Sequence, residues 1–446
     1  MRQPGAILLV SCYELGHQPL GLAWPRAFLE QAGYAPETLD LAVEPFDADK
    51  ARRARLVAIS VPMHTALRLG VRAAEQVRRL NGSCRIVFHG LYALLNAEHL
   101  SAHGADAVLG GELEQELVAL VRRWDAGEEP AIAPRATLER LPFPPPSRAG
   151  LPALTRYASL ARAGKLVPAG YVEASRGCLH TCLHCPVPAA YGGRFFTVPR
   201  DVVLTDIRRL VAAGAGHITF GDPDFLNGPG HAVKLVRALH DEFPHVSYDF
   251  TAKIEHVLEQ RRLVPEFGAT GCAFVVSAVE SLSDNVLARL EKGHTKADVL
   301  GALAILRDAG VPLRPSFIPF TPWSTLDDYL ELLSFIDAEG LIDHVDPVQY
   351  TIRLLIPPGS LLLSRPAIGP FLESLDPAAF TYRWTHPDPR MDELQRAASA
   401  LVERAARASE DAWTTFNHLR ALAGGGVATP PPERPIPARL TEPWFC

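Results

Sequence analysis

Residues 175–188 read SRGCLHTCLHCPVP and carry Cys178, Cys182 and Cys185 at the spacing C-x3-C-x2-C. Thiolates are the protein ligands of iron–sulfur clusters, and the spacing of cysteines along the chain is the sequence sign of such a site. Three thiolates this close together can hold three irons of a [4Fe–4S] cluster. They leave the fourth iron without a protein ligand, so that it is free to bind a small molecule.

Two other interpretations of these cysteines are open. A structural zinc site takes four ligands, commonly as two pairs, and His180 or His184 could complete one, but no second cysteine pair follows. Inert core thiols are the other alternative. The other internal cysteines lie in apolar, strand-like runs and are expected to be core residues: Cys12, Cys84 and Cys272.

Composition narrows the class of protein. The chain has 446 residues, 48% hydrophobic and 21% charged residues, and a formal net charge of −6. This length suggests about two or three globular domains. No basic block favours nucleic-acid binding, no apolar run is long enough to span a membrane, and seven cysteines with three in one loop form no disulfide framework. We expect a cytoplasmic protein, in keeping with an oxygen-sensitive cluster.

The N-terminal third alternates short apolar runs with helical patterns. Such alternation predicts a doubly wound parallel sheet, with ligands at the carboxyl ends of its strands. We assign residues 1–125 to this α/β domain and the proline-rich residues 126–169 to a linker. The strands are predicted at residues 6–12, 39–43, 55–61, 85–90 and 107–109.

Residues 170–370 form a second run of strand–helix repeats. Strands are predicted near residues 171–175, 217–220, 246–252, 273–279, 313–320 and 348–356. Residues 371–423 read as mixed loop and helix. Glycine and proline are too dense in residues 424–446 for a fold of their own, so we expect this tail to lie outside any packed core.

The cysteine loop and the repeats after it resemble the radical SAM superfamily. The resemblance implies a partial (β/α)6 barrel with its chemistry at the carboxyl ends of the strands. It also implies that S-adenosylmethionine (SAM) binds the open iron of a [4Fe–4S] cluster held by Cys178, Cys182 and Cys185. Reductive cleavage of SAM would give a 5′-deoxyadenosyl radical, which abstracts hydrogen from an unreactive carbon.

The resemblance also implies positions that contact SAM. Gly221 and Asp222 stand where the family has its GGE motif, whose carbonyls take the SAM amino group, although the glycine pair and the glutamate are altered here. Ser277 and Glu280, in VSAVESLSDNVLARLEKGHT, match the fourth-strand motif that contacts ribose and methionine. Lys253 could face the SAM carboxylate, or be an ordinary loop lysine.

Two further assignments concern the same region. Ile356 resembles the sixth-strand residue that packs on adenine. Asp222 and Asp224 could form an acid/base pair, although plain turn chemistry also accounts for two aspartates in this loop.

The first domain resembles the cobalamin-binding-like domain that precedes many radical SAM domains. The matching segments are HGLYA at 89–93 and GADAVLGGELE at 104–114. Small residues there, Gly90, Ala93, Gly110 and Gly111, would let the backbone approach a large ligand, and His64 and His89 are candidates to line its pocket. The D-x-H-x-x-G motif is absent, and His17 has a different spacing, so no histidine ligand to cobalt is expected. Sequence leaves open whether cobalamin binds or the domain is an empty vestige.

The tail resembles that of a bacterial group of radical SAM proteins ending in Cys-Cys-Ala-Glu-Pro or its selenocysteine form. A UGA selenocysteine codon read as a stop would leave a chain that ends after Cys446, so we expect the natural gene to continue. A genuine terminus and a truncation are the alternatives.

The resulting interpretation is a radical SAM enzyme, expected to transfer a methyl group with cobalamin to an unreactive carbon. A cobalamin-free radical SAM oxidation or rearrangement enzyme and a structural metal-binding protein are the alternatives. A methylthiotransferase acting on RNA is disfavoured, because the first domain has no second cysteine set. Expected partners are a small-molecule or peptide substrate and an electron donor such as flavodoxin or ferredoxin, with no nucleic acid and no membrane.

Overall fold

The structure is a computed structural model that describes residues 1–130, 133–427, 429 and 436–442. Two parallel sheets organise it, as the alternation of strands and helices predicts. The two sheets follow one another along the chain, and one apolar core runs from helices beside the first sheet into the second.

The first sheet is parallel throughout, with the order β2-β1-β3-β4-β5-β6 among the described strands. Its central strands are buried on both faces, which is why they read as continuous apolar runs. Helices cover both faces and place the carboxyl ends of the strands along one edge. The strands are Ile7–Ser11 (β1), Glu37–Asp40 (β2), Leu56–Ser60 (β3), Arg85–His89 (β4), Ala107–Gly111 (β5) and Arg135–Thr137 (β6).

The helices of this region connect successive strands. The longest begins at His64 and ends at Leu80, and its buried residues recur at helical spacing on one face. The others are Leu20–Gln31, Ala48–Arg53, Leu91–Leu95, Ala97–Ala102 and Glu114–Asp125.

The second sheet is a curled half-barrel with the order β14-β13-β12-β11-β8-β7-β17. Five neighbouring strands are parallel, and β7 and β17 add an antiparallel edge. A separate short hairpin, β9 with β10, lies between β8 and β11 along the chain. The strands are Ser159–Arg162 (β7), Lys165–Val172 (β8), Ser175–Gly177 (β9), Phe195–Thr197 (β10), His217–Phe220 (β11), Ser247–Thr251 (β12), Cys272–Glu280 (β13), Leu313–Phe317 (β14) and Arg439–Leu440 (β17).

Helices follow these strands on the outside of the half-barrel, and more helices come after the barrel along the chain. Two of the barrel helices begin with a threonine capping box, at Thr295 and Thr325. The helices are Pro186–Tyr191, Arg200–Ala212, Pro229–Glu242, Ile254–Glu259, Val264–Ala269, Asp284–Arg289, Lys296–Asp308, Leu326–Ala338, Pro389–Arg407 and Ala412–Leu422. A second hairpin, Leu372–Asp376 (β15) with Thr381–Trp384 (β16), precedes the last two.

The prediction of a sixth barrel strand at 348–356 is wrong. Pro347–Tyr350 is a single 3-10 turn, and the residues after it make one isolated bridge, between Arg353 and Phe320. Proline supplies no N–H to a ladder, which favours a turn at the start of this segment. The described half-barrel therefore has five parallel strands.

The expected linker, residues 126–169, is also more ordered than predicted. It contains β6, β7 and most of β8, and β7 and β8 form a hairpin. The turn of that hairpin is Ala163-Gly164, both with positive φ. Such turns usually carry Asn-Gly or Asp-Gly, so the local sequence is a weak signal for this one. The first barrel strand, predicted at 171–175, therefore begins and ends earlier along the chain, at Lys165 and Val172.

The expectation that residues 424–446 lie outside a packed core is wrong for residues 438–442. Arg439–Leu440 (β17) pairs with β7, and Ala438 is buried in a small apolar cluster with Leu160 and Phe274. Glu442 contacts the buried His17 at 2.7 Å. Cys446 lies outside the described residues, so the expectations about it stay predictions.

No helix in the described part of the chain combines the length and apolar character needed to cross a bilayer.

Candidate functional site

The cysteine loop is held at its two ends by a hairpin. β9 runs into the loop and β10 leaves it, and the two strands pair antiparallel. Gly177, the last residue before Cys178, has a φ of 75°. A side chain at that position would collide with the carbonyl oxygen of Arg194, so glycine is required where the chain turns into the loop.

All three cysteines line one small cavity of about 110 Å³. Cys178 and Cys182 are buried and Cys185 is half-buried. Burial raises the pKa of Cys185 to about 12, so its thiol would be protonated without a metal. Coordination by a metal removes that proton, and these side chains therefore suit a ligand role better than that of free nucleophiles.

A buried ion pair adjoins the cysteines. Glu280 accepts hydrogen bonds from Lys292 Nζ at 3.1 Å and from His184 Nε2 at 3.0 Å. Burial by itself would raise the pKa of Glu280, but the Lys292 ammonium and His184 lower it to about 2. Since His184 belongs to the cysteine loop, its hydrogen bond to Glu280 also connects the loop to the end of β13.

Two of the residues predicted to contact SAM lie in the cysteine cavity. Glu280 and Lys253 both line it, and Lys253 Nζ bonds Glu255 at 3.0 Å. Glu280 has a φ of 67° at the end of β13, where the register with β14 shifts. This backbone irregularity directs its carboxylate toward the cysteines.

Four of the predicted contacts have other surroundings. Gly221 lines the neighbouring cavity between the two sheets. The Asp222 carboxylate accepts hydrogen bonds from the N–H of Ala174, at 2.9 Å, and from the Ser175 hydroxyl. Ser277 and Ile356 are fully buried outside the residues that line the cysteine cavity.

Asp222 and Asp224 do not form the acid/base pair considered from sequence. Asp222 supports β9 through its bonds to Ala174 and Ser175, whereas Asp224 accepts a hydrogen bond from His256 Nδ1 at 2.7 Å. Their carboxylates therefore serve different elements.

A second cavity, of about 280 Å³, lies between the two sheets. The carboxyl ends of the first sheet form one wall, and the barrel and cysteine hairpin form the other. Parallel sheets of this order bind ligands at that edge. From the first sheet it takes Glu14, Ser60, His89, Gly90, Gly111 and Leu113, and from the second half of the chain Tyr171, Glu173, Arg176, Tyr191, Gly221 and Pro223.

Arg176 is a buried cation at this interface. Its guanidinium contacts Glu114 at 2.8 Å and Glu173 at 2.8 Å, and it lies over the rings of Trp24 and Phe143. An Arg fork between carboxylates and aromatic faces is a strong and directional contact. It joins β9, which leads into the cysteine loop, to the first sheet.

The predicted residues of the first domain divide in two. Gly90 and His89 line the cavity between the sheets. His64 lies beside it, with Nε2 donating to the carbonyl of Ala379 at 2.7 Å, and Gly110 faces Leu94. Adjacent Gly111 lines the cavity.

Sequence reasoning missed the side chains that surround the cysteines. Neither Lys292, in the KGHT segment, nor His256 was predicted to lie beside them. Their positions along the chain could have indicated this, because His256 follows the end of β12 and Lys292 follows the end of β13.

The comparisons with known proteins agree with this geometry. The family model described as the radical SAM superfamily matches residues 172–336. The ribosomal protein uS12 methylthiotransferase RimO of Trichlorobacter lovleyi is 23% identical over 180 residues, 37% of this chain and 39% of that protein. The tRNA-2-methylthio-N(6)-dimethylallyladenosine synthase of Nocardia farcinica is 29% identical over 192 residues, 38% of this chain and 36% of that protein. The chain thus spans about two fifths of the length of these curated relatives.

Two solved structures share the fold across most of the chain. The cobalamin-dependent SAM radical enzyme OxsB, with aqua-cobalamin bound, has a TM-score of 0.69 at 15% identity and covers 90% of this chain and 67% of its own. The radical SAM methyltransferase TsrM from Kitasatospora setae, with tryptophan and a SAM analogue bound, has a TM-score of 0.67 at 18% identity and covers 89% and 88%.

The family match, the half-barrel and the three cysteines in one cavity lead to the same conclusion. The domain over residues 172–336 implies a [4Fe–4S] cluster and SAM, and Cys178, Cys182 and Cys185 are the thiolates available to hold the cluster. Residues 172–336 of this chain match the radical SAM superfamily, and this match indicates a radical SAM enzyme.

Proposed function

We propose that this enzyme transfers a methyl group to an unreactive carbon with the help of cobalamin bound between its two sheets. The observation that carries the proposal is the cavity at the carboxyl ends of the first sheet, which the barrel closes on the cysteine side. OxsB and TsrM, which share this fold, are described as a cobalamin-dependent enzyme and as a methyltransferase.

The residues of the cavity suit a large, amide-rich ligand. The Nε2 atom of His89 is buried and has no hydrogen-bond partner among the described residues. Burial lowers the pKa of His89 to about 4, so the ring is neutral and can pair with an amide or phosphate group. Gly90 and Gly111 leave this wall without bulky side chains.

His17 is not a candidate for the lower ligand of cobalt. Its ring stacks on Tyr171 at 4.5 Å, and its Nε2 atom bonds Glu442. It does not line the cavity between the sheets. This supports the expectation that cobalamin binds here with no histidine from this loop on the metal.

The two cavities are neighbours, which favours a reaction that uses both. Pro223 lines each of them, directly after Gly221 and Asp222 at the end of β11. A methyl group carried on cobalamin and a radical generated from SAM would then act within one protected space. Residues buried on both sides exclude water, which protects reactive species from side reactions.

The roles of the side chains are inferred from their surroundings. The three cysteines would hold the cluster, and Lys253 and Glu280 are placed to bind the charged methionine end of SAM. Arg176 keeps the cysteine hairpin fixed against the first sheet. When bound, the cluster supplies an electron, SAM the radical and cobalamin the methyl group.

Cobalamin uptake tests the proposal directly. Protein purified anaerobically should retain about one hydroxocobalamin per chain after gel filtration, with a spectrum that His17→Ala leaves unchanged. His89→Leu should weaken uptake at least tenfold, because the orphaned Nε2 atom is lost. His64→Ala is the matched control, since this residue follows the neighbouring strand outside the cavity.

The contrary results identify the alternatives. If the cluster-loaded protein cleaves SAM but takes up no cobalamin, it is a cobalamin-free radical SAM oxidation or rearrangement enzyme. If it neither cleaves SAM nor binds cobalamin, a structural metal site remains. The substrate, a small molecule or peptide, and the electron donor, a flavodoxin or ferredoxin, belong to the same proposal.

A further inference from the structure

Three side chains at the cysteine cavity form a cluster of their own. None of them is among the expected ligands of the iron–sulfur cluster or the residues expected to contact SAM. His180 lies within the cysteine loop, Asp224 in the loop after β11, and His256 in the helix Ile254–Glu259 after β12. One ligand atom from each lies within 4.8 Å of the others. We call these residues the His-Asp-His cluster.

The two imidazoles face each other. The Nε2 atoms of His180 and His256 are 3.1 Å apart. Two nitrogen ligands that each bind one ion at about 2.0–2.1 Å are separated by a distance of this order. A shared proton would give a similar separation, so the surroundings must distinguish the two cases.

The surroundings favour a cation. Asp224 Oδ2 accepts the Nδ1–H of His256 at 2.7 Å, which fixes the tautomer and turns Nε2 toward His180. A carboxylate behind a histidine is the usual support of a metal-binding imidazole. Asp224 Oδ2 is also 3.9 Å from His180 Nε2, so the same carboxylate adjoins both imidazoles.

The charges point the same way. Glu255 lies 3.5 Å from His180 Nδ1, so two carboxylates, Asp224 and Glu255, adjoin the two imidazoles. Among the described residues, the fixed cation beside them is Lys253, which bonds Glu255. With neutral imidazoles the group carries a net charge of about −1, which a divalent cation would offset.

The group is also packed as a built site. The Asp224 side chain is 1% exposed and that of His256 is 10% exposed. Gly293 has a φ of 82°, and a side chain there would meet the Glu255 carboxylate at 2.9 Å. His180 and Asp224 line the cysteine cavity, so an ion held here would have open positions facing it.

We infer that the His-Asp-His cluster is a second metal site, separate from the iron–sulfur cluster, for a divalent first-row transition metal. Two imidazole nitrogens with open positions, one of them backed by a carboxylate, suit zinc or ferrous iron. The inference concerns residues outside the cysteine set, and it stands whether or not cobalamin binds.

Zinc is the probe, because its X-ray edge is separate from that of the cluster iron. Cluster-loaded protein, with its iron content verified, is incubated anaerobically with Zn²⁺, desalted and analysed by mass spectrometry and zinc-edge absorption. We expect about one zinc per chain, with nitrogen and oxygen neighbours at about 2.0–2.1 Å and no sulfur at about 2.3 Å. Zinc in emptied cysteine positions would instead show sulfur.

Variants away from the cysteine loop complete the test. His256→Ala should weaken zinc binding at least a hundredfold, and Asp224→Asn by about 10–100-fold, the usual effect of losing the group behind a metal ligand. Both should keep the cluster absorbance and iron content of the parent. His245→Ala, on an exposed histidine, is the matched control.

Two outcomes overturn the inference. One is a cluster-loaded protein that retains no zinc above the level of His256→Ala. The other is zinc that binds with sulfur neighbours or equally in His256→Ala and His245→Ala. Either result would leave the 3.1 Å contact between His180 and His256 as a hydrogen bond.

Discussion

Each of the two sheets lines a cavity at the carboxyl ends of its parallel strands. The side chains at these two edges differ in their chemistry. At the cavity the first sheet ends mostly in small or uncharged groups, among them Ser60, His89 and Gly90, and burial raises the pKa of its Glu14 carboxyl group to about 8. The half-barrel ends in thiols and paired charges, among them Cys178, Lys253 and Glu280. The first wall can hold a ligand by shape and weak contacts, whereas the second can bond a metal and pair with ions.

This difference explains why the two sites were unequally visible in the sequence. Metal ligation needs particular residues at fixed spacing, so three cysteines in one loop carry most of the information. A site that holds its ligand by shape needs only small side chains along its wall. Any small residue meets this need, so such a site leaves little trace in the sequence. Substitutions at the two edges should therefore differ in effect, and the largest loss is expected at the cysteines.

Cys178→Ala should abolish the cluster site. Two remaining thiolates cannot hold three irons, so iron should fall from about four per chain to near none, and the absorbance near 400 nm should disappear. SAM cleavage should be lost with it. Iron analysis and absorption after anaerobic reconstitution measure the effect.

Cys84→Ala is the control for this change, because that thiol is buried just before β4, far along the chain from the loop. It should keep its iron. If Cys178→Ala retained the full cluster, the assignment of the three ligands would be wrong.

Glu280→Gln tests how far the barrel end depends on paired charge. The change leaves Lys292 and His184 without their anion, and breaking a buried ion pair by removing one partner costs about 3–5 kcal/mol. The free energy of unfolding, measured by urea denaturation, should fall by that amount, and SAM affinity should fall too. Glu291→Gln removes an exposed pair with Arg365 and should cost at most about 1 kcal/mol.

Two results would contradict this prediction. Unchanged SAM affinity in Glu280→Gln would mean that the fourth-strand motif does not contact SAM. Equal stability losses in the two variants would mean that the Glu280 carboxylate is not held as the structure has it.

Most of the fold could be predicted because its signals are local. Continuous apolar runs indicated β1, β3 and β4, and the cysteine spacing indicated the loop. The prediction of a strand at 348–356 was wrong because apolar residues also occur in irregular buried segments. Ile356 is such a residue, and it belongs to one apolar cluster with Leu183. The β7–β8 hairpin was missed because Ala163-Gly164 is a weak turn signal.

The candidate site was predictable where one residue type decides its chemistry. Cysteine spacing predicted three thiols that line one cavity, and the pattern of β13 placed Glu280 beside them. The partners of Glu280 and Asp224 come from other parts of the chain, and only the fold brings Lys292 and His256 to them. Contacts of this kind leave no local pattern, so the sequence could not predict them.

Asp222→Asn tests the carboxylate that supports β9 between the two sheets. Burial raises the pKa of Asp222 from 3.8 to about 7, despite the opposing bonds from Ser175 and Ala174. Because the folded pKa lies above the unfolded value, the folded protein binds the extra proton. Stability should therefore fall as pH rises from about 4 to 7.

The expected loss from this carboxyl group between pH 5 and pH 7 is roughly 2 kcal/mol, and Asp222→Asn should remove that part of the pH dependence. Urea denaturation at the two pH values measures it. Asp201→Asn, on an exposed aspartate, should leave the slope unchanged. An unaltered slope in Asp222→Asn would mean that the buried carboxyl ionises normally.

Glu442→Ala tests whether the C-terminal segment stabilises the junction of the two regions. Glu442 bonds the buried Nε2 atom of His17, whose ring stacks on Tyr171 at the cavity between the sheets. Removing the carboxylate leaves a buried donor without its partner, which costs about 1–3 kcal/mol. We expect a value near the lower end, because residues 439–441 still pair with the β7 region. The rate of amide hydrogen exchange at β7 and β8 should rise in the same variant.

Glu403→Ala, in an exposed pair with Arg407, is the control. If both variants matched the parent in stability and exchange, the segment would be a passive addition to the edge of the half-barrel, and the junction would depend on Arg176 and its carboxylates.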